Sequence, residues 1–415
     1  MSEVRAALEE PASGRTGLHE PEKQTPEKVP SIAVLPFANI GADKENEYFS
    51  DGLAEEILNL LAKIPGLKVI ARTSSFAFRG REQDITKIAG ALRVQNILEG
   101  SVRRAGSRIR VTAQLIDASD GAHLWSERYD RDMTDVFAIQ DEIGQAISEA
   151  LKVRLAPRTR VVNVEAWEHW LKGVHYRARN TPENVAKAKD HFERALAIDP
   201  DYAQAHSGLA LSYYVLGAMG ARPVSEMKPL AIRAAESALA IDPSDSESHT
   251  VLAVTAGIFD YDWERAGKHH LKSVTCEHVS PRARFCYGKY YLPATGRNTE
   301  AIEQCRMALQ ADPLSLLFHS GLIWSLICAG QNAEAIAAAR RALEIDPDFH
   351  LVLFALGIAQ LGVGLAEEAV NSFRRVVEVA PWHHDAHGCL AAAYHVAGDH
   401  VRGRELGGNS PVRRV

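Results

Sequence analysis

The residues best suited to bind a metal ion are the histidines between Trp382 and His387. His383 and His387 are four residues apart, which places two imidazoles on one helix face at a spacing that suits zinc. His383, however, lies before or at the predicted start of that helix, and no glutamate follows in the H-E-x-x-H order of a zinc hydrolase. The pattern therefore favours histidines on a helix surface, and we expect no metal and no other cofactor.

A second candidate for chemistry is the basic segment from Lys68 to Arg110, which holds ten Lys or Arg residues against three acidic ones. Four of the arginines, at positions 103, 104, 108 and 110, flank one predicted hairpin. Such a cluster can contact an anion or a nucleic acid. Charge that protects a sheet edge from further pairing is the favoured explanation. The whole chain carries a net charge of −6, so a nucleic-acid partner is not expected.

Motifs for catalysis are missing from the sequence. It contains no phosphate-binding G-x-x-x-x-G-K-[ST] or G-x-G-x-x-G loop, no G-x-S-x-G turn and no kinase catalytic loop. Its five cysteines form no C-x-x-C pair, and such scattered cysteines are typical of small buried residues in a reducing compartment; they are Cys276, Cys286, Cys305, Cys328 and Cys389. We therefore predict a protein without enzymatic activity and without catalytic residues.

The amino-terminal segment, residues 1–30, has four prolines among Glu, Lys, Ser and Gly, which predicts a disordered tail or linker. Met1 to Glu10 lack the apolar core of a signal peptide. The most apolar stretch of the chain, Leu351 to Leu365, is shorter than a membrane span requires. We therefore expect a cytoplasmic protein with no membrane span.

Residues 31–157 alternate strand patterns with amphipathic helix patterns and predict an α+β domain. In residues 108–117, Ile109, Val111 and Ala113 alternate with polar side chains, which indicates a sheet with one buried face. The charged run from Glu127 to Asp132 suits a turn and a helix start. The predicted elements are a strand at 32–37, a helix capped by Ser50 or Asp51, a strand at 67–71, a helix opened by Asp84, three strands at 97–104, 108–117 and 122–129, and a helix capped by Thr134.

The remainder of the chain is periodic and helical. Ala-Leu-x-x-Asp-Pro recurs at 195–200, 238–243, 308–313 and 342–347, and a worn copy occupies 376–381. The prolines at 313, 347 and 381 are spaced by 34 residues. The small Ala lets two helices approach closely, and the Asp-Pro pair ends one helix and starts the next. A fixed period of this length indicates a repeat array rather than one globular core.

This pattern resembles the tetratricopeptide repeat family. The resemblance implies an all-α superhelical solenoid over residues 165–405, with six units and a seventh first helix from Asp385 to Ala397. A spacing of 43 between Pro200 and Pro243 predicts a longer turn at 218–229, and Pro281 marks a degenerate boundary after the third unit. The fold class is thus an α+β domain followed by a solenoid.

The first helices of such an array line a concave groove with their second, fifth, ninth and twelfth residues. In the fifth unit these are Leu317, Ser320, Trp324 and Ile327, and in the sixth Leu351, Phe354, Ile358 and Leu361. The side chains are apolar, whereas family members that clamp a peptide carboxylate use Lys, Arg and Asn there. We therefore predict a protein or peptide partner with an apolar or amphipathic segment. The alternative is that these residues pack between neighbouring units.

The carboxyl end departs from the repeat pattern. Residues 401–411 are rich in Gly and Arg, where a second, capping helix is required to cover the apolar face of the last unit. This predicts either a frayed end or self-association through the uncapped unit, followed by a disordered tail at 406–415.

Five separated blocks of the first domain resemble the bacterial TolB-amino-terminal-like, or FlgO-like, domain; they are 32–37, 48–53, 71–76, 98–104 and 124–130. The resemblance implies a module of unknown activity that often precedes tetratricopeptide repeats in signalling proteins. We therefore predict a non-enzymatic bacterial scaffold for signalling or regulation. The alternatives are the regulatory part of an adenylate or guanylate cyclase or Ser/Thr kinase without its catalytic domain, and a transcription-linked regulator.

Overall fold

The computed structural model describes residues 29–41, 47–80, 84–153, 163–179 and 181–403. The predicted tails at 1–28 and 406–415 lie outside these residues, as does most of the Gly- and Arg-rich end, so the uncapped last unit remains a prediction. Residues 400–403 form one further helical turn. In the described part of the chain, no helix is long and apolar enough to cross a bilayer.

A mixed sheet of six strands forms the first part of the described chain. Its strands are β1 Ser31–Val34, β2 Ala38–Asn39, β3 Lys68–Val69, β4 Asn96–Ala105, β5 Arg108–Asp117 and β6 His123–Asp132. They lie in the order β3-β1-β4-β5-β6, and β2 pairs with β4. β1 runs parallel to both β3 and β4, whereas β4, β5 and β6 form an antiparallel meander.

Helices cover both faces of the parallel part of this sheet. They are α1 Glu47–Ala62, α2 Arg72–Phe76, α3 Ile85–Leu92 and α4 Val136–Ala150. On one face, Leu53 of α1 and Ile143 of α4 pack with Ile32 and Val111 in one apolar core. On the other face, Ile88 of α3 packs with neighbouring strand residues in a second core. The predicted alternation of β5 is confirmed, because its inward side chains are all buried.

Sequence analysis was wrong about where two helices start. Ser50 and Asp51 do not cap α1; the helix includes Glu47, and both residues are buried inside it. Thr134 lies in a 3₁₀ turn, Met133–Asp135, that precedes α4. The predicted cap of α3 is confirmed, since the Asp84 carboxylate accepts a hydrogen bond from the backbone N–H of Thr86.

Sequence analysis predicted a strand at 122–129 and assigned the end of the charged run to a turn, but β6 continues through the whole run from Glu127 to Asp132. Charge complementarity across the sheet explains this, because Asp130 lies directly opposite Arg110 in the strand register. Asp130 accepts hydrogen bonds from Arg108 at 2.9 Å and from Arg110 at 2.6 Å. Cross-strand pairs of opposite charge stabilise a sheet.

Six helix pairs, which we number as units one to six, follow the α+β domain in the described residues. Their bounds are α5 Val164–Arg177 with α6 Pro182–Ile198, α7 Ala203–Ala218 with α8 Val224–Ile241, α9 Ser246–Val254 with α10 Trp263–Thr275, α11 Pro281–Cys286 with α12 Asn298–Ala311, α13 Leu316–Cys328 with α14 Asn332–Leu343, and α15 His350–Gly362 with α16 Ala366–Val379. A seventh first helix, α17 His384–Val396, packs on α16. The predicted fold class is confirmed.

The long turn predicted at 218–229 is shorter than expected. α7 ends at Ala218 and α8 begins at Val224, with Pro229 inside α8. The long spacing in this unit therefore comes from two long helices. Pro229 is the sixth residue of α8 and lies beyond its first turn, so the helix continues through it without the hydrogen bond that another residue would donate to the carbonyl of Ser225.

Units three and four each contain one turn of π-helix, Thr255–Phe259 and Tyr287–Tyr291. The residues that precede the first helices, Asp245, Ser280 and Ser315, are spaced by 35. The corresponding residues Phe349 and His383 continue at the family's spacing of 34. A π turn accommodates one extra residue within a helix, so these two turns absorb the insertion and keep the later units in register.

The α+β domain and unit one share a single apolar core. Gly52 of α1 faces the side chain of Leu171 in α5, where a Cβ atom has no room. Beside it, the rings of Phe49 and Trp167 meet edge to face with centroids 5.8 Å apart, and both side chains are fully buried. The same core extends from Ile32 in β1 to the first helix of unit three.

We predict that Gly52→Val destabilises the protein by about 1–3 kcal/mol, because overpacking a filled core forces side chains out of their rotamers. Thermal unfolding measures the effect. Gly90→Val is the matched control, since Gly90 also lies in a helix but has open space where a Cβ would be. Equal melting temperatures for the two variants would contradict this packing.

Candidate functional site: the concave groove

The seven apolar residues predicted to bind a partner are all half-buried in the structure; they are Leu317, Trp324, Ile327, Leu351, Phe354, Ile358 and Leu361. Five of them pack against the apolar clusters of units four to seven. Trp324 and Leu351 lie outside the apolar clusters of the described residues. Of the seven, these two side chains therefore contribute least to the packing between units.

Phe354 is an example of the five residues that pack between units. Its ring centroid lies 5.7 Å from that of Phe373 and 4.7 Å from that of His383. Contact with Phe354 explains the position of His383, which precedes α17 and is half-buried rather than fully solvated. His387 places its Nδ1 atom 3.4 Å from the carbonyl oxygen of His383. The two imidazoles thus have packing and hydrogen-bonding partners.

The groove positions of unit one are polar, in contrast to the apolar positions predicted for units five and six. The residues that follow Asn163 in α5 at the same four positions are Glu165, Glu168, Lys172 and His175. In α9 and α11 the groove includes Glu247, Arg282 and Lys289. Sequence analysis missed these residues because it applied the groove positions only to units five and six, although the same count along α5 identifies them.

The protein's own α+β domain occupies the polar groove at unit one. Glu168 forms an ion pair of 3.0 Å with Arg104 and accepts a hydrogen bond of 3.4 Å from the Tyr48 hydroxyl. The ammonium group of Lys172 lies 4.7 Å from the centre of the Tyr48 ring. One helical turn on, His175 Nδ1 lies 3.3 Å from the carboxylate of Asp51.

Asp51 is the charged residue at the centre of this contact. Burial alone would raise its pKa, but hydrogen bonds from His175 and Arg79 and the charge of Arg72 lower the pKa below its ordinary value. The carboxylate therefore stays ionised in the folded protein. Arg79 and Arg72 are on the α+β domain and His175 is on unit one, so Asp51 joins the two.

The short helix α2 contacts the array a second time, between units four and five. The backbone N–H of Ala71 donates to the carbonyl of Ala311 at 2.7 Å. The Ser74 hydroxyl donates to the Asp312 carboxylate and accepts from the backbone N–H of Leu314 at 2.7 Å. Burial raises the pKa of Asp312 to about 6, although hydrogen bonds from Ser74 and Thr73 oppose this shift.

Between these two contacts lies a row of half-buried charges. Glu55 of α1 pairs with Arg72 at 2.9 Å. Desolvation lowers the pKa of Arg177 of unit one, and the charges of Glu247 and Glu55 oppose that shift. Burial raises the pKa of Glu55, while Arg72 and Arg177 oppose the shift. The α+β domain thus bridges unit one to unit five across the groove.

Other candidates from sequence analysis have partners within the protein or are buried. Arg104, Arg108 and Arg110 of the basic hairpin are paired with acidic residues of the protein. The five cysteines are free thiols, and burial raises the pKa of Cys286 to about 12 and that of Cys305 to about 11, which makes both poor nucleophiles. Within the described ranges, no group of three or more His, Cys, Asp or Glu residues is arranged to hold a metal ion.

Among the paired helices, residues 292–348 match the family profile described as "Tetratricopeptide repeat". A second profile, "HilA/YgeH-like transcriptional regulator, second domain", matches residues 27–147. That profile covers the α+β domain under a different description from the TolB-amino-terminal-like domain that the sequence motifs resemble. The TolB-like assignment therefore remains a prediction.

The chain is also similar to "Putative adenylate cyclase 3" of Rhizobium meliloti strain 1021. The two are 44% identical over 199 residues, which cover 46% of this chain and 34% of that protein. This chain therefore matches about a third of the length of its relative.

Several solved structures of repeat proteins are similar in fold. The type IV pilus biogenesis factor PilW is 17% identical, with a TM-score of 0.44 over 51% of this chain and 94% of that one. The human IFIT1 dimer with PPP-AAAA is also 17% identical, with a TM-score of 0.49 over 66% of each chain.

We predict that Asp51→Asn destabilises the protein by about 1–3 kcal/mol at pH 7, the usual effect of removing a buried hydrogen-bonding partner. Because the pKa of Asp51 is lower in the folded protein than its ordinary 3.8, the carboxylate stabilises the fold above about pH 4, and this contribution is lost as the pH falls through the folded pKa. Chemical unfolding at several pH values measures the difference. A wild-type advantage that persists unchanged at pH 2 would contradict the assignment.

Proposed function

We propose that this protein is a non-enzymatic scaffold for bacterial signalling or regulation, and that it binds a protein partner through the groove of units five to seven. The observation that carries the proposal is the division of the groove. The protein's own α+β domain contacts unit one and the turn between units four and five, whereas Trp324 and Leu351 are half-buried and lie outside the apolar clusters of the described residues. The partner segment that suits this surface is apolar or amphipathic.

A regulatory role is supported by what the two parts of the chain are similar to. The α+β domain matches a profile of transcriptional regulators, and a relative is named a putative adenylate cyclase. An α+β module of HilA-like or TolB-like type joined to repeats then relays a binding event to another domain or protein. We infer a cytoplasmic location. We also infer that the partner is a protein rather than a nucleic acid, because acidic neighbours neutralise the charge of the basic hairpin.

The second candidate function is the regulatory part of an adenylate cyclase-type signalling protein. Its support is the identity of 44% with the Rhizobium meliloti protein. In that case the surface of units five to seven binds a catalytic domain. Self-association through the last unit is the remaining alternative for the same apolar surface.

We predict that Trp324→Ser abolishes partner capture, because large aromatic side chains dominate the binding energy of apolar interfaces. Full-length chain on a solid support retains proteins from a bacterial lysate, and quantitative mass spectrometry compares the variants. Proteins retained by the wild type should fall at least about tenfold with Trp324→Ser, which corresponds to ~1.4 kcal/mol.

Tyr261→Asn is the matched control for this experiment. Tyr261 is 74% exposed at the turn of unit three, and its positive φ of 55° is a conformation that Asn tolerates. The control should retain the same proteins as the wild type. If Trp324→Ser also retains them, while its melting temperature is unchanged, the groove of unit five is not the binding surface.

We also predict that the purified chain makes no cyclic AMP from ATP and no cyclic GMP from GTP with Mg²⁺ or Mn²⁺ present. The sequence lacks a loop that binds phosphates, and the described residues hold no group of carboxylates arranged for a metal ion. Chromatography of the reaction measures the product. Cyclic nucleotide above the level of a heat-denatured sample would contradict both candidate functions as stated.

A further inference from the structure

The α+β domain is joined to the repeats by two contacts of different chemistry. At unit one the contact is an apolar core, with Phe49, Gly52, Trp167 and Leu171 all buried together. At units four and five it consists mainly of three hydrogen bonds, which involve Ala71 and Ser74 on the side of α2. Apolar cores open rarely, whereas a few hydrogen bonds open more readily, because water replaces them when the contact separates.

We propose that α2 is a latch which docks on units four and five and releases from them while the α+β domain stays attached to unit one. The latch consists of residues 71–76, and its receptor is the turn from Ala311 to Leu314. When the latch is closed, the α+β domain connects unit one to unit five. When the latch opens, the charged residues between unit one and unit five become exposed to water. The repeats are then free to change their superhelical curvature.

The charges beneath the latch favour its release. Asp312 is 2% exposed, and burial raises its pKa to about 6, so its ionised form is disfavoured when the latch is closed. One further buried atom in the described residues, Nε of Arg177, has no hydrogen-bond partner, and Oε2 of Glu247 has only an ion-pair contact of 3.8 Å with Nε of Arg282. Buried polar atoms without a hydrogen bond destabilise the closed arrangement, and water satisfies them on opening.

Packing opposes release and gives the latch a closed state. Leu314 packs against the second apolar core of the α+β domain, in which Ile70 and Ile88 lie on either side of the latch in sequence. The guanidinium of Arg72 lies 4.4 Å from the centre of the Phe76 ring, which orders α2 itself. The latch is therefore held by one apolar side chain and a few hydrogen bonds, a balance that a binding event can shift.

Hydrogen exchange of the full-length chain tests the proposal, because the backbone N–H groups of Ala71 and Leu314 are themselves bonded across the latch. In the wild type both amides should exchange at least about tenfold faster than those of Leu171 and Val174 in the unit-one core. Ser74→Ala removes the hydroxyl that binds Asp312 and Leu314. It should increase exchange at Ala71 and Leu314 at least about tenfold and leave the core amides unchanged.

Asp312→Asn is the second variant, and it keeps the shape and the acceptor for Ser74 but removes the buried charge. In this variant the backbone amides of Ala71 and Leu314 should exchange no faster than they do in the wild type at pH 7.5. The proposal is overturned if, in the wild type, these two amides exchange as slowly as the core amides do. It is also overturned if Ser74→Ala speeds up all four amides equally, because the contact then belongs to the global fold.

Discussion

The packing of α1 against α5 is the constraint on which the rest of the structure depends. Because Gly52 lets Leu171 approach the α1 backbone and Phe49 meets Trp167, the α+β domain is fixed to the first helix of the repeats. From that position it extends into the groove and reaches unit five through α2. The polar side chains along α5 follow from this arrangement, since they bind the α+β domain instead of a foreign peptide. The partner surface that we propose is the apolar part, from unit five onward.

The elements that sequence analysis predicted are those with a local cause. The Asp-Pro endings identify the helix pairs, and the alternation around Val111 identifies β5, because helices and strands repeat on their own short periods. The errors have distant causes. Asp51 is a residue type that often caps a helix, but its partners Arg79 and His175, which lie 28 and 124 residues away, hold it inside α1. Asp130 likewise belongs to a strand because of Arg110 on the neighbouring strand.

The seven candidate residues from Leu317 to Leu361 are half-buried, and partner binding there is a proposal for experiment to test. What sequence analysis could not find is the contact of the α+β domain with the repeats, since no local pattern predicts that Ser74 and Asp312, 238 residues apart, share a hydrogen bond. The same limit applies to α2, whose five residues are too few for a helical period.

A double-mutant cycle between Ser74 and Asp312 tests most directly whether the α+β domain occupies the groove. The free energies of unfolding of the wild type, Ser74→Ala, Asp312→Ala and the double variant give the coupling between the two side chains. A hydrogen bond across the groove predicts a coupling of about 1–3 kcal/mol, typical of bonds to a charged partner. Effects that add within about 0.3 kcal/mol would contradict the account, because residues that do not touch are independent.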